Sequence, residues 1–310
     1  MNTEQLSFAS ADGQSAINAI LWTPGAGQQP KAVVQLVHGM AEHIMRYEGF
    51  AEFLCDNGLA VCGHDHIGHG DSAKSVEDFG HFAVADGERV LVEDVDALRK
   101  LVAERYPNLP YFIFGHSMGS FVLRSYLAKY GAGLAGAIIC GTGNTPTATS
   151  AAGNKLCHLL ARIKGPKHRS KLVDGMAAGG YGKKIPDANG PLDWLSHNAE
   201  NVAAYEQDER CGFMFSVTAY AAVTALTRET SDPACVARYP KDVPLFYIAG
   251  SEDPVGDFGK GVREAYQLAA DAKVADVSIK LYEGMRHEIL NEHGKQVVYD
   301  DVLTWINERI

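Results

Sequence analysis

A serine hydroxyl becomes an effective nucleophile near neutral pH only when a histidine takes its proton and a carboxylate orients that histidine. Three positions in this sequence have the types and the order for that chemistry. Ser117 sits in Gly115-His116-Ser117-Met118-Gly119, between the apolar run Tyr111-Phe112-Ile113-Phe114 and a helix-like stretch from Phe121 to Tyr130. G-x-S-x-G between strand and helix puts the serine on a sharp turn, its hydroxyl raised at the strand's carboxyl end and at a helix N-terminus. Asp253 follows the apolar run Leu245–Ala249, with Glu252 and Asp257 as neighbouring carboxylates in reserve. His287 follows the run Val277–Tyr282; of the twelve histidines only it and His293 lie beyond Asp253, and His293 comes a turn or more later. Alone, each would be ordinary: a strand–helix turn, a turn-forming aspartate, a surface histidine. Their occurrence after successive strands, in the order serine, aspartate, histidine, predicts Ser117, Asp253 and His287 as a catalytic set.

Acyl transfer also builds negative charge on a carbonyl oxygen, which two backbone N–H donors can hold. The residue after the nucleophile, Met118, is one expected donor. Met40, in the loop His38-Gly39-Met40-Ala41-Glu42-His43 after the run Val33–Val37, is the other. A rival chemistry lies at Gly63-His64-Asp65-His66-Ile67-Gly68-His69-Gly70-Asp71. His64, His66 and His69 have the spacing of an H-x-H-x-D-H metal motif, but its aspartate position holds Gly68. The alternative is a polar loop shaped by Asp65 and the glycines, with the histidines hydrogen-bonding locally. No metal and no cofactor is expected.

These residues need a scaffold that brings distant loops to one edge. Leu6–Phe8 and Ala16–Trp22, around Asp12-Gly13, read as a hairpin. Val33–Val37, Leu59–Cys62, Tyr111–Phe114 and Leu134–Cys140 are short apolar runs suited to strands buried on both faces. Helical periodicity separates them at 47–57, 88–106 and 121–130. Strand Leu245–Ala249, helix 260–270, strand Val277–Tyr282 and helix 296–309 continue the alternation, which is the signature of a mostly parallel sheet with helices on both faces. Residues 141–232 break it: helix-like pieces at 155–163 and 213–226 have no strand between them. The expected organisation is a core of 1–140 and 233–310 with a helical cap, or lid, at 141–232.

Composition narrows the partners. The net charge is −10 and 46% of the 310 residues are hydrophobic. With no lysine- or arginine-rich run, nucleic acid is not an expected partner, and the acidic balance opposes tight electrostatic docking on anionic membranes. The N-terminus has no basic and apolar signal regions and no run reaches membrane-spanning length, so a cytoplasmic protein with reduced cysteines is expected.

Together, Leu36–His43 with Arg46-Tyr47, Asp65–Ser72, Gly115–Gly119, Gly250–Val255 and Gly284–Glu288 resemble the α/β-hydrolase superfamily, and more narrowly its monoacylglycerol lipase and lysophospholipase group, which includes serine-aminopeptidase-like members. The resemblance implies an α/β-hydrolase fold with a helical lid and explains the histidine-rich loop without metal. Ile67 departs from it, since the group usually has arginine there. The implied activity is serine-dependent hydrolysis of carboxylic esters, on monoacylglycerol- or lysophospholipid-type or short-to-medium-chain acyl substrates. A peptidase or amidase on the same triad, a metal-dependent hydrolase using His64, His66 and His69, and a catalytically silent binding protein are the alternatives. Phe213, Val217, Trp194 and Tyr181 are the candidate substrate contacts, and a transient contact of the cap with a lipid surface is compatible with them.

Overall fold

The computed structural model describes residues 1–310 except Ala26, Ala85 and Asp187. Strands β1 (Asn2–Ala9) and β2 (Ala16–Thr23) form an antiparallel hairpin. Its turn is set by the Asp12 carboxylate, which accepts the N–H groups of Gln14 and Ser15, both at 2.7 Å. Next come β3 (Val33–Val37), β4 (Ala60–His64), β5 (Tyr111–His116), β6 (Gly136–Cys140), β7 (Leu245–Gly250) and β8 (Val277–Tyr282). The sheet order is β1-β2-β4-β3-β5-β6-β7-β8, and only β2 runs against the others. Every residue of β3 to β7 is buried, which is why these strands read as unbroken apolar runs, whereas the edge strands β1 and β8 are largely exposed or half-buried.

Helices α1 (Glu48–Asp56), α2 (Gly87–Arg105) and α3 (Met118–Tyr130) connect the early strands. Between β6 and β7 the described residues form α4 (Thr147–Lys164), α5 (Lys171–Gly175), α6 (Ala199–Gln207), α7 (Val217–Thr230) and α8 (Pro233–Val236), with no strand. Helices α9 (Lys260–Asp271) and α10 (Lys295–Asn307) complete the chain. Helices α1 and α10 cover one face of the sheet, where Phe50 packs 5.5 Å from the Phe114 ring and 4.8 Å from Tyr299. Helices α2, α3 and α9 cover the other, together with α7. Each fully buried Phe, Leu, Ile or Val here contributes about 1.5–3 kcal/mol.

Two expected cap elements differ. Helix α4 starts at Thr147 rather than 155, because its first two turns are rich in Ala, Thr, Ser and Gly and show no apolar period. Helix α7 starts at Val217, where the Ser216 side chain accepts the Ala219 N–H at 3.3 Å, so 213–215 form a non-helical lead-in. No helix among the described residues is long and apolar enough to cross a membrane.

Since β3, β5, β6, β7 and β8 are parallel, their carboxyl ends share one edge. The loops bearing Met40, Ser117, Asp253 and His287 all leave from that edge, where ligands bind in open α/β sheets.

Candidate active site

Ser117 sits between β5 and α3 with φ +53° and ψ −120°, a left-handed conformation for a residue with a side chain. Such strain costs about 1–3 kcal/mol and persists only where packing enforces it. A β-carbon on Gly115 would lie 2.4 Å from the Gly119 carbonyl oxygen, and one on Gly119 would lie 2.1 Å from that of Val37. The two glycines let the turn close against β3, and the Ser117 N–H is pinned to the Cys140 carbonyl at 3.0 Å.

His287 Nδ1 lies 2.9 Å from Asp253 Oδ2, and both side chains are essentially unexposed. The other Asp253 oxygen accepts the Val255 N–H at 2.8 Å. The carboxylate thereby accepts a hydrogen bond from Nδ1–H and fixes the tautomer with its lone pair on Nε2, which is buried and makes no hydrogen bond to the described residues. The imidazole is held between rings, His116 at 4.7 Å and Trp194 at 5.1 Å. Glu252 instead pairs with His197 at 2.8 Å, Asp257 is exposed, and His293 plays no part in this arrangement.

The Gly39–Glu42 loop lies against the serine: a β-carbon on Gly39 would come within 3.0 Å of Ser117 Cβ. Gly39 N–H donates to Glu42 Oε1 at 2.6 Å and Ala41 N–H to His69 Nε2 at 3.3 Å, which fixes the residues on either side of Met40. Ala41 takes φ +54°, and its carbonyl accepts the Tyr205 hydroxyl at 2.8 Å and the Gly212 N–H at 2.9 Å, so residues between β6 and β7 hold this loop too.

Ser117, Met40, Met118 and His287 border one cavity of about 240 Å³. Trp194, Tyr181 and Phe213 line it as well; Tyr181 packs 5.0 Å from Trp194, extending a ring series from His287. Val217, expected there, does not line it: as the first residue of α7 it is fully buried, with its N–H on the His168 carbonyl at 2.9 Å. The expectation treated 213–226 as one helix, whereas the helix begins at Val217 and 213–215 lead into it.

His38, His64, His66 and His69 form a buried cluster beneath the Met40 loop. His38 Nδ1 donates to the Gly39 carbonyl at 2.8 Å while Nε2 accepts the His66 N–H at 3.0 Å, which requires a neutral ring. His69 is fixed the same way, Nδ1 on the Ile67 carbonyl at 3.0 Å and Nε2 on Ala41. Burial pushes His64 down to about 3 and His69 to about 4, and holds His38 and His66 well below the histidine range. The ring nitrogens of His64, His66 and His69 do not converge as a three-ligand set, and three of the six serve the backbone: His66 Nε2 and both nitrogens of His69. The loop is polar in sequence but buried in place, shaped by Asp65, which accepts the N–H groups of Ile44 and Asp71 at 2.8 and 2.9 Å.

Sequence reasoning assigned no role to Glu42, Arg46, His116 and Glu288, which the structure brings together. Arg46 reaches Glu42 Oε2 at 2.8 Å and binds Glu288 through both nitrogens at 2.6 and 2.7 Å. Asn201 of α6 also donates to Glu288 at 2.6 Å. The network joins the Met40 loop, the residue after His287 and α6. His116 Nε2 donates to the His287 carbonyl at 3.3 Å, and its Nδ1 meets the Tyr47 hydroxyl at 2.9 Å while that hydroxyl donates to Glu42 at 2.8 Å. Proton counting therefore makes His116 a cation. Burial opposes its charge, but Glu42 outweighs burial and raises its pKa. Glu42, also opposed by burial, is held well below the carboxylate range by His116 and Arg46. The one available signal was the four-residue spacing of Glu42 and Arg46; Glu288 is too distant in sequence to be paired by inspection.

The pattern of the family described as serine aminopeptidase, S33, matches residues 28–294. The monoacylglycerol lipase of Mycolicibacterium smegmatis is 30% identical, over 97% of this chain and 95% of its own length. The human monoglyceride lipase is 31% identical, over 97% and 90%. The crystal structure of a thermostable carboxyl esterase from Bacillus coagulans, in complex with glycerol, superposes with a TM-score of 0.92 at 30% identity and covers 99% of both chains. The eight-stranded, mostly parallel sheet flanked by helices is the fold that the sequence resemblance implied. The chain belongs to the serine aminopeptidase S33 family of α/β-hydrolases, as a member resembling the monoglyceride lipases.

Proposed function

We propose that this protein is an ester hydrolase that works through an acyl-enzyme on Ser117. The observation that carries the reading is the buried Asp253–His287 pair, with the free Nε2 edge of the ring on a residue that shares its cavity with the strained Ser117 turn. His287 Nε2 takes the Ser117 proton as Oγ attacks the acyl carbonyl, and Asp253 stabilises the imidazolium. The N–H groups of Met40 and Met118 hold the oxyanion, each worth about 3–4 kcal/mol in the transition state. His287 then protonates the leaving alcohol, activates a water on the acyl-enzyme, and the acid departs.

The similarity to a monoacylglycerol lipase, a monoglyceride lipase and a carboxyl esterase supports glyceryl and other carboxylic esters as substrates over peptides and amides. Segment 141–232 acts as the cap, supplying Tyr181, Trp194 and Phe213 to the cavity wall. A series of p-nitrophenyl esters of increasing chain length, monoacylglycerols and the matching p-nitroanilides tests this. Turnover of the esters with little or none of the anilides is expected; equal turnover of both would point to an amidase.

The cap also supports a lipid-surface contact. Leu159, Ile163, Leu172 and Met176 are 53–69% exposed. Exposed Lys155, Arg162, Lys164, Lys167 and Lys171 surround them in sequence, and no acidic residue occurs between 141 and 173. This local charge opposes the overall −10, and each basic group near an anionic surface contributes about 1 kcal/mol. Sedimentation with phosphatidylglycerol-containing vesicles is expected, weakened by salt and by serine at the four apolar positions. Equal retention by purely phosphatidylcholine vesicles contradicts the electrostatic part.

A further inference from the structure

The cap side of the cavity is mostly apolar, with Phe213, Met214 and Val223 in its wall. One carboxylate there belongs neither to the triad nor to the Arg46 network. Asp174, on α5, borders the cavity and accepts the hydroxyl of the buried Tyr220 at 2.5 Å. A β-carbon on Gly179 would lie 2.1 Å from Asp174 Oδ2, so the following turn leaves room for this carboxylate only because it has glycine there.

A carboxylate offers about four acceptor sites, and the phenol occupies one. Acceptors beside apolar surface are costly unless a donor reaches them. Tyr220 holds Oδ1 in place, and bare methylene groups have no donor to offer. We infer that Asp174, positioned by Tyr220, is a subsite for a hydroxyl group of the substrate, so that the protein favours esters presenting an O–H donor to this wall. The hydroxyl comes either from the acyl chain or from a glyceryl leaving group. The inference rests on the proposed ester hydrolysis at Ser117 and adds the substrate feature the cap selects.

The test compares kcat/KM for a fatty acid methyl ester, the monoacylglycerol of the same acid, and a set of methyl esters hydroxylated at successive chain positions. Wild type is set against Asp174→Asn, Asp174→Leu and Tyr220→Phe. A preference of about tenfold or more for one hydroxylated arm is expected in wild type, as for a hydrogen bond to a charged group. The responding arm tells chain from glyceryl hydroxyl. Asp174→Leu is expected to abolish the preference through a rise in KM for that arm, and Tyr220→Phe to weaken it. Asp174→Asn, which keeps an acceptor and the side-chain shape, is expected to retain part of it and serves if the leucine variant does not fold. A hydroxylated-to-bare ratio that is near one in wild type, or the same in every variant, overturns the subsite and leaves Asp174 as a pin between α5 and α7. Wild-type turnover of p-nitrophenyl acetate that persists in Ser117→Ala would instead overturn the underlying reading.

Discussion

Ester turnover by Ser117→Ala is expected to fall by about 10⁴- to 10⁶-fold, the loss seen when a member of a serine–histidine pair is removed. His287→Ala is expected to lose a similar amount, and the double variant little more than either alone, because proton transfer and attack form one event. Asp253→Asn is expected to lose activity as well, because its amide can present N–H rather than an acceptor to His287 Nδ1, 2.9 Å away. Losses that multiply in the double variant would mean that Ser117 and His287 act separately. Stability provides a second readout on the same residue. Alanine keeps the β-carbon that makes φ +53° unfavourable, whereas Ser117→Gly releases it and is expected to stabilise the fold by about 1 kcal/mol while destroying activity. Thermal melting of the three proteins separates loss of chemistry from loss of fold.

Steep acid unfolding is the second large expected effect, and it arises from His38, His64, His66 and His69. Unfolded histidines titrate near pH 6.5. In the fold burial depresses all four, His64 to about 3 and His69 to about 4. A depressed folded pKa contributes stability that is fully present above the unfolded value and is lost as pH falls toward the folded one. The loss thus begins near pH 6.5 and continues to about pH 4. Near pH 5 these four groups give the unfolded chain about four extra protons, and Asp94, which burial raises to about 6, gives the folded chain about one, so the net slope is about 4 kcal/mol per pH unit. Glu42 acts in the same direction at lower pH, because its pKa is held below the carboxylate range. His116 opposes the trend: its raised pKa contributes stability below the ordinary histidine value that is lost as pH rises through the folded one. Urea unfolding at pH 7.5, 6 and 5 measures the balance. His64→Phe, at a position with no hydrogen bond and an edge contact to Phe8 at 5.8 Å, is expected to flatten the slope by about one proton. A slope of one proton or less in wild type would mean that the cluster is hydrated or charged in the fold.

The elements that carry the site were readable because each is a short-range pattern. Apolar runs buried on both faces marked β3, β5, β6 and β7, and the parallel sheet then brings their loops together without any need to know side-chain contacts. The position of the Met40 loop at that edge could be read from Gly39 and the strand before it. What the chain did not disclose depends on contacts distant in sequence. The Arg46–Glu288 pair spans 242 positions, and neither residue has a local pattern that selects the other. The 64–69 loop read as polar and locally hydrogen-bonded, with nothing in its sequence to show that it is buried under the Met40 loop and packed against Phe213 and Phe215, both rings 5.3 Å from His69. Between β6 and β7, Phe213 to Leu226 showed apolar residues on more than one face, because a non-helical aromatic lead-in and a helix are joined at Ser216. Period alone could not divide them, and Val217 was drawn into the cavity as a result.

The central claim is a covalent acyl group on Ser117. Rapid mixing with a p-nitrophenyl ester, acid quench within milliseconds and peptide mass analysis tests it most directly. A mass increase equal to one acyl group on the peptide bearing Ser117 is expected, together with a burst of p-nitrophenol, and neither in Ser117→Ala. Steady hydrolysis with no adduct, or an adduct on another residue, contradicts it.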